Sequence, residues 1–174
     1  VVGTAEAVDT LLKTGIPVRN QTVLLKGIND DSNVLGRLLK QLTTIGVLPY
    51  YIFQCRPVKG VMNHFQVPLK KGYEIVQSAL QMQNGQGKTC RFMMSHVTGK
   101  IEILGYLNGD KMLFKYHRAK YTKDTGRIFE REISADRAGC RDSFLSESSF
   151  SYITYMLLRS KPITVYIILY HSNC

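Results

Sequence analysis

Three stretches of this sequence carry side chains that could do chemistry. The first is Gln54-Cys55-Arg56-Pro57, with His64 and Phe65 a little further on. Arg56 offers a planar fork that can bind a carboxylate or phosphate through two parallel hydrogen bonds. A surface arginine beside a buried thiol gives the same pattern. The second stretch is Ser95-His96-Val97-Thr98-Gly99-Lys100. A Ser-His pair invites nucleophilic catalysis, but adjacent residues on a strand point to opposite faces. Gly99 would let a ligand approach the backbone, and Lys100 could form an imine with a carbonyl compound. The plainer alternative is a turn with a solvated lysine, because the upstream glycine of a phosphate-binding P-loop is missing. The third stretch runs from Lys111 to Lys123, where basic and aromatic residues interleave. Cations beside stacking faces hold single-stranded nucleic acid, yet a half-buried hairpin strand shows the same alternation.

The totals narrow the choices. A chain of 174 residues with 44% apolar and 21% charged side chains can bury a real core and suits one domain with a short appendage. The net charge of +10 favours anionic partners, although the lysines and arginines are scattered and read equally as a solvated basic surface. Cys55, Cys90, Cys140 and Cys174 lie far apart, without metal-binding spacing, so a reduced cytoplasmic protein is expected. No secretory pattern is visible, and the apolar run from Ile163 to Tyr170 is too short to span a bilayer. The chain opens at Val1 inside a helix-like pattern without a capping residue, as a piece cut from a longer protein would.

Several elements must position these residues. Ala7, Val8, Leu11 and Leu12 form one stripe over 4–14, ended by Gly15. The β-branched run 16–25 predicts a buried strand, and a turn follows at Gly27-Ile28-Asn29-Asp30. Asp31 or Ser32 would cap a second helix carrying Val34, Leu35, Leu38, Leu39, Leu42 and Ile45. Residues 47–53 predict a second strand, and 70–83 a third helix. This alternation is the rhythm of a parallel sheet or of a (β/α) barrel segment. In either, loops at the C-terminal ends of strands build the site, here Leu24 to Asn29 and Gln54 to Phe65. After Gly85-Gln86-Gly87 come four short strands, near 90–94, 100–106, 111–121 and 127–133. Turns at Asn108-Gly109 and Lys123-Asp124-Thr125-Gly126 make an antiparallel meander of them. Residues 134–174, rich in Ser and Tyr, do not continue the pattern and read as an unrelated tail.

Taken in order, Asn20-Gln21-Thr22-Val23-Leu24-Leu25-Lys26-Gly27-Ile28-Asn29-Asp30, Pro49-Tyr50-Tyr51-Ile52-Phe53-Gln54-Cys55 and Lys71-Gly72-Tyr73-Glu74-Ile75 point to one family. Over roughly residues 1–133 the chain resembles the C-terminal part of the lysine 2,3-aminomutase family of radical S-adenosylmethionine enzymes. The resemblance implies an α/β fold: the C-terminal portion of a partial (β/α) barrel over 1–84, followed by a small antiparallel β-meander over 85–133 that closes the cofactor site. It also implies pyridoxal phosphate, S-adenosylmethionine and a [4Fe-4S] cluster in the full-length parent. Family members move an amino group between neighbouring carbons of an amino acid. A 5′-deoxyadenosyl radical abstracts hydrogen, and the protein orients the cofactors.

Carried over residue by residue, Gln21 would contact S-adenosylmethionine. Lys100 would be the catalytic lysine that holds pyridoxal phosphate as an imine, across a gap in the match. Lysine-specific members have an aspartate directly after the Gln-Cys pair, and here that position is Arg56. A second family aspartate falls at Ser95 or His96. A cation suits a carboxylate, so Arg56 is expected to bind the substrate and glutamate is favoured over lysine. Asp31 stands where some relatives have a zinc-binding cysteine, so no structural zinc is expected. The CxxxCxxC cluster motif is absent from these residues, and the chain by itself is expected to be inactive. Small amino-acid substrates are the expected partners, with no membrane and a parent free to form homo-oligomers. The rival readings are a basic nucleic-acid-binding module and an inactive gene remnant. Part of a barrel should expose an edge strand and an apolar face, so low solubility is expected of the isolated chain.

Overall fold

The computed structural model describes residues 2–56, 64–133 and 165–167. The chain alternates helix and strand through α1 (Val2–Lys13), β1 (Val18–Leu24), α2 (Ser32–Thr44), β2 (Leu48–Gln54) and α3 (Leu69–Gln81). Then come β3 (Arg91–His96), β4 (Gly99–Tyr106), β5 (Lys111–Ala119), β6 (Ile128–Glu132) and β7 (Val165–Ile167). Local chemistry sets the boundaries. Gly15, at φ 78°, ends the first helix where a residue with a side chain would be strained. Asp31 caps α2, its carboxylate accepting hydrogen bonds from the backbone N–H groups of Asn33 and Val34 at 2.9 and 3.0 Å. Helical spacing then aligns Leu35, Leu39 and Leu42 on one buried face. Pro68 leads into α3, which buries Leu69, Ile75, Val76 and Ala79.

The strands form one mixed sheet in the order β6-β5-β4-β3-β2-β1-β7. β1, β2 and β3 run parallel, while β4, β5 and β6 follow antiparallel. The six strands β1–β6 make an open sheet, not a closed barrel, and β7 adds in parallel to the outer edge of β1. The turn residues act as expected, Gly109 and Gly126 both taking positive φ. The four strands β3–β6 pair antiparallel in succession, as the expected meander requires. β3 also pairs in parallel with β2, so the sheet runs unbroken through residue 85. The reading of 134–174 as a tail lies outside the described residues, apart from 165–167.

Helices cover one face of the sheet. Leu24, Ile52, Phe92, Ile101, Ile103 and Phe114 pack there with Leu35 and Leu39 of α2 and Val76 of α3. A second cluster of Val8, Val18, Leu42 and Val47 seats α1. Each such aliphatic or aromatic side chain contributes roughly 1.5–3 kcal/mol when fully buried, so this layer holds the sheet rigid. Among the described residues no helix covers the opposite face. That face is where half-exposed polar side chains collect.

Candidate active site

Register decides which residues share the uncovered face, because directly paired residues in neighbouring strands point to the same side. In β1 the buried set is Val18, Asn20, Thr22 and Leu24, which leaves Arg19, Gln21 and Val23 on the uncovered face. Gln21 pairs with Tyr51 and Val23 with Phe53. Tyr51 pairs in turn with Arg91, and Phe53 with Met93. Across the antiparallel strands, Met93 pairs with Glu102, Ser95 with Lys100, and Lys100 with Arg118. Gln21, Tyr51, Phe53, Arg91, Lys100 and Arg118 therefore look into the same space.

Two β-bulges enrich this face. Between Asn20 and Gln21 the register jumps from Pro49 to Tyr51, so Tyr50 is an extra residue and both tyrosines reach the uncovered side. Their ring centres lie 3.8 Å apart, and the Arg19 guanidinium sits 4.9 Å from the Tyr50 ring centre. The second bulge lies between Lys100 and Ile101, which pair with Arg118 and Tyr116, so His117 is the extra residue. The Tyr51 hydroxyl and His117 Nε2 are 2.6 Å apart, and Arg91 lies 3.0 Å from His117 Nδ1. Arg91 also reaches Glu102 at 3.8 Å.

Lys100 is the chemical centre of this space. Its Nζ lies 5.0 Å from the Tyr51 ring centre and 5.4 Å from that of Phe53. β4 stands two strands from β2, about 10 Å away at normal spacing. The lysine chain therefore crosses β3, over the small Ser95 that pairs with it. Burial holds its pKa below the usual lysine value and the neighbouring Arg118 adds to this, while Tyr50 acts in the opposite direction. The aromatic faces favour the ammonium form by cation–π attraction. The balance is an amine readier than a solvated lysine to lose its proton, which is what a nucleophilic amine needs. Because β4 is antiparallel to β3, Lys100 stands at the C-terminal end of the parallel strands, where sites form in such sheets.

Arg56 follows β2 at that same end and is exposed. It lies close enough to His96 that its charge, after burial, helps push the imidazole pKa down to about 4. His96 Nδ1 accepts a hydrogen bond from the Thr98 backbone N–H at 3.2 Å and lies 2.6 Å from the Thr98 hydroxyl. A ring nitrogen that accepts a backbone N–H carries no proton, so this histidine is neutral with hydrogen on Nε2. Ser95 and His96 fall on opposite faces, which excludes a Ser-His nucleophile pair here.

The structure thus places Gln21 and Lys100 on the same face of the sheet, with Tyr51 on the strand between them, and sets Arg56 near His96, at the strand end that also carries Lys100. Sequence reasoning missed Tyr51, Arg91 and His117 as neighbours of Lys100. Gly99 has a different role from the one expected. A Cβ at Gly99, whose φ is 140°, would sit 2.0 Å from the Arg118 carbonyl oxygen, so the close approach is that of β5 and not of a ligand. On the basic strand, Phe114 and Tyr116 are buried in the helix-side core and are not offered as stacking platforms. A shallow depression lined by Asn108, Gly109, Asp110, Lys111 and Glu132 lies at the far end of the β4–β5 hairpin and holds none of the candidate residues.

A helix-backed mixed sheet defines an α/β protein, and its open face carries a half-buried amine among aromatic rings and arginines. No protein-family model matches the chain. A protein of Aquifex aeolicus, provisionally named L-lysine 2,3-aminomutase, is 42% identical over 132 residues, covering 75% of this chain and 35% of its own length. L-lysine 2,3-aminomutase of Bacillus subtilis is 44% identical over 72 residues, 41% of this chain and 15% of the relative. Glutamate 2,3-aminomutase of Clostridioides difficile is 46% identical over 72 residues, 41% of this chain and 17% of the relative. The chain belongs to the lysine 2,3-aminomutase family and spans 35% and 34% of the length of its two Aquifex aeolicus relatives.

Proposed function

We propose that this chain is the C-terminal, cofactor-carrying part of an amino-acid 2,3-aminomutase, an isomerase acting on an acidic amino acid. The observation that carries the reading is the shared face: Gln21 pairs with Tyr51, and the Tyr51 ring lies 5.0 Å from Lys100 Nζ. Two residues that the family resemblance assigns to different cofactors thereby look into one space. The open sheet with its parallel half is read as part of a (β/α) barrel whose interior is the uncovered face.

The residues present fit pyridoxal phosphate. Lys100 supplies a half-buried amine with a lowered pKa, Arg118 supplies positive charge beside it, and Arg91 adds charge on the same face next to His117. Lys100 would hold the cofactor, which when bound supplies a conjugated ring able to carry a migrating amino group. Tyr51 and Phe53 set two aromatic faces beside the amine. Gln21 would contact S-adenosylmethionine through its amide. Among the described residues no group of three His, Cys, Asp or Glu side chains could hold a metal ion, so no step is assigned here to a cluster. Arg56, with the neutral His96 beside it, would receive the side-chain carboxylate of the substrate. The reaction is read as cytoplasmic, in keeping with Cys55 and Cys90 standing as free buried thiols. Among the described residues no helix is long and apolar enough to cross a membrane.

Assay of the intact parent enzyme with lysine and glutamate side by side tests the substrate. Glutamate is expected to turn over faster. Preference for lysine would overturn the role given to Arg56.

A further inference from the structure

The hydrogen bonds around His117 have a direction that the chemistry of its partners determines. A guanidinium can only donate, so Arg91 donates to His117 Nδ1, at 3.0 Å. That nitrogen must then hold a lone pair, and the neutral ring carries its proton on Nε2. The Nε2–H donates to the Tyr51 oxygen at 2.6 Å, and the Tyr51 hydroxyl donates onward to Tyr50 at 2.9 Å. The series Arg91, His117, Tyr51, Tyr50 therefore has one polarity throughout, and Glu102 steadies its first member at 3.8 Å.

Both bulged residues of the uncovered face, Tyr50 and His117, belong to this series. Bulges re-aim side chains beside functional sites, and neither tyrosine nor histidine could join the series in a regular ladder. The middle member, Tyr51, also meets the His117 ring edge-on, with centres 5.6 Å apart and planes at 80°. Its position is thus fixed from the β5 side while its face lies under Lys100.

We propose that Arg91 and His117 are positioning residues for Lys100: by locking one imidazole tautomer they anchor the Tyr51 ring, and the ring sets where the amine stands and how readily it is protonated. The charged and titratable groups facing Lys100 are Arg118 and His117 from β5, Tyr50 and Tyr51 from β2, and the Arg91–Glu102 pair from β3 and β4. Arg118 disfavours the ammonium, whereas the Tyr51 ring favours it. Freeing that ring removes the favourable contact and leaves Arg118 unopposed by it. The relevance to catalysis rests on Lys100 being the cofactor lysine; the positioning itself does not.

The test uses the full chain without cofactor. Long-range proton–nitrogen NMR of the unmodified protein reads the His117 tautomer, and the Nε2–H form is expected. In a second measurement the lysines are reductively methylated with carbon-13 and the Lys100 signal, identified by its loss in Lys100→Arg, is titrated. His117→Leu should lower the Lys100 pKa by about half a unit, the size of one exposed cation–π contact. His117→Gln, whose amide can still donate to Tyr51, should recover more than half of that shift. An Nδ1–H tautomer, or a Lys100 titration that His117→Leu leaves in place, would overturn the proposal. If His117→Leu does not fold, Arg91→Leu replaces it: the tautomer should become mixed, and an unchanged Nε2–H form would count against the lock. Should these readouts succeed while Lys100 fails to take up pyridoxal phosphate, the positioning unit stands and the aminomutase reading falls.

Discussion

Tyr51 and His117 lie 66 residues apart in the chain and share a 2.6 Å hydrogen bond across the uncovered face of the sheet. That contact joins the parallel half of the fold to its antiparallel half just beside Lys100. Stability of the sheet and properties of the site are therefore linked, and each can be probed separately.

Gly99 tests the sheet. Any side chain there meets the Arg118 carbonyl at 2.0 Å, on a backbone with φ 140° that other residues rarely adopt. Gly99→Ala is expected to cost about 2 kcal/mol or more, since forced conformations of this kind cost of order 1–3 kcal/mol before the clash is counted. Urea unfolding measures it. A loss under about 0.5 kcal/mol, the usual range for an unimportant surface change, would show that β5 does not approach β4 as described.

Asp31 tests the helix start. Its carboxylate accepts two backbone N–H groups of α2, and Asp31→Ala should cost roughly 1 kcal/mol, the ordinary value of a lost N-cap. The Lys100 titration should stay where it is, because the cap lies on the helix side. A change in both would mean that α2 and the candidate site are coupled.

The core gives a larger effect. Phe114 and Leu39 are fully buried in the same helix-side cluster. Phe114→Ala should cost roughly 3–5 kcal/mol and Leu39→Ala roughly 2–5 kcal/mol, by lost burial and the cavity left behind. Near-neutral behaviour of both would contradict the packing of helices onto this face.

His96 makes stability depend on pH. Burial, and then Arg56, hold its folded pKa at about 4, below the ordinary 6.5. Between those values the unfolded chain binds a proton that the folded chain refuses, so stability falls as pH drops from about 6.5 towards about 4 and levels off below. Above about 6.5 this group is neutral in both states and contributes no slope. Denaturant midpoints collected across that window should flatten in His96→Gln. A variant with the same slope as the original would place the proton uptake elsewhere.

The backbone plan was largely legible in the sequence. Helical stripes, the Asp31 cap, β-branched runs and the Asn108-Gly109 turn are local signals, and each element stands close to where they put it. Lys100 and Gln21 are candidates from residue type and family resemblance, which also requires them to meet in one pocket, but the strand register that puts both on one face was not legible. The direction of β3 depends on which strand it joins, and nothing in Arg91–His96 itself encodes a parallel partner. The two bulges were equally hidden, because a bulge is a mismatch between strands distant in sequence. Alternation along 47–53 would send Tyr50 and Tyr51 to opposite sides, and the bulge overrides it. Gly99 was misread for a related reason: its neighbour is a carbonyl supplied by β5.

The most direct measurement of the central claim is chemical trapping at Lys100. The intact parent protein is incubated with pyridoxal phosphate and reduced with borohydride, and its peptides are weighed by mass spectrometry. The account predicts a pyridoxyl group on Lys100 at low cofactor concentration, with Lys100→Arg unlabelled. Equal labelling of scattered surface lysines, with Lys100 no more reactive than the rest, would contradict it.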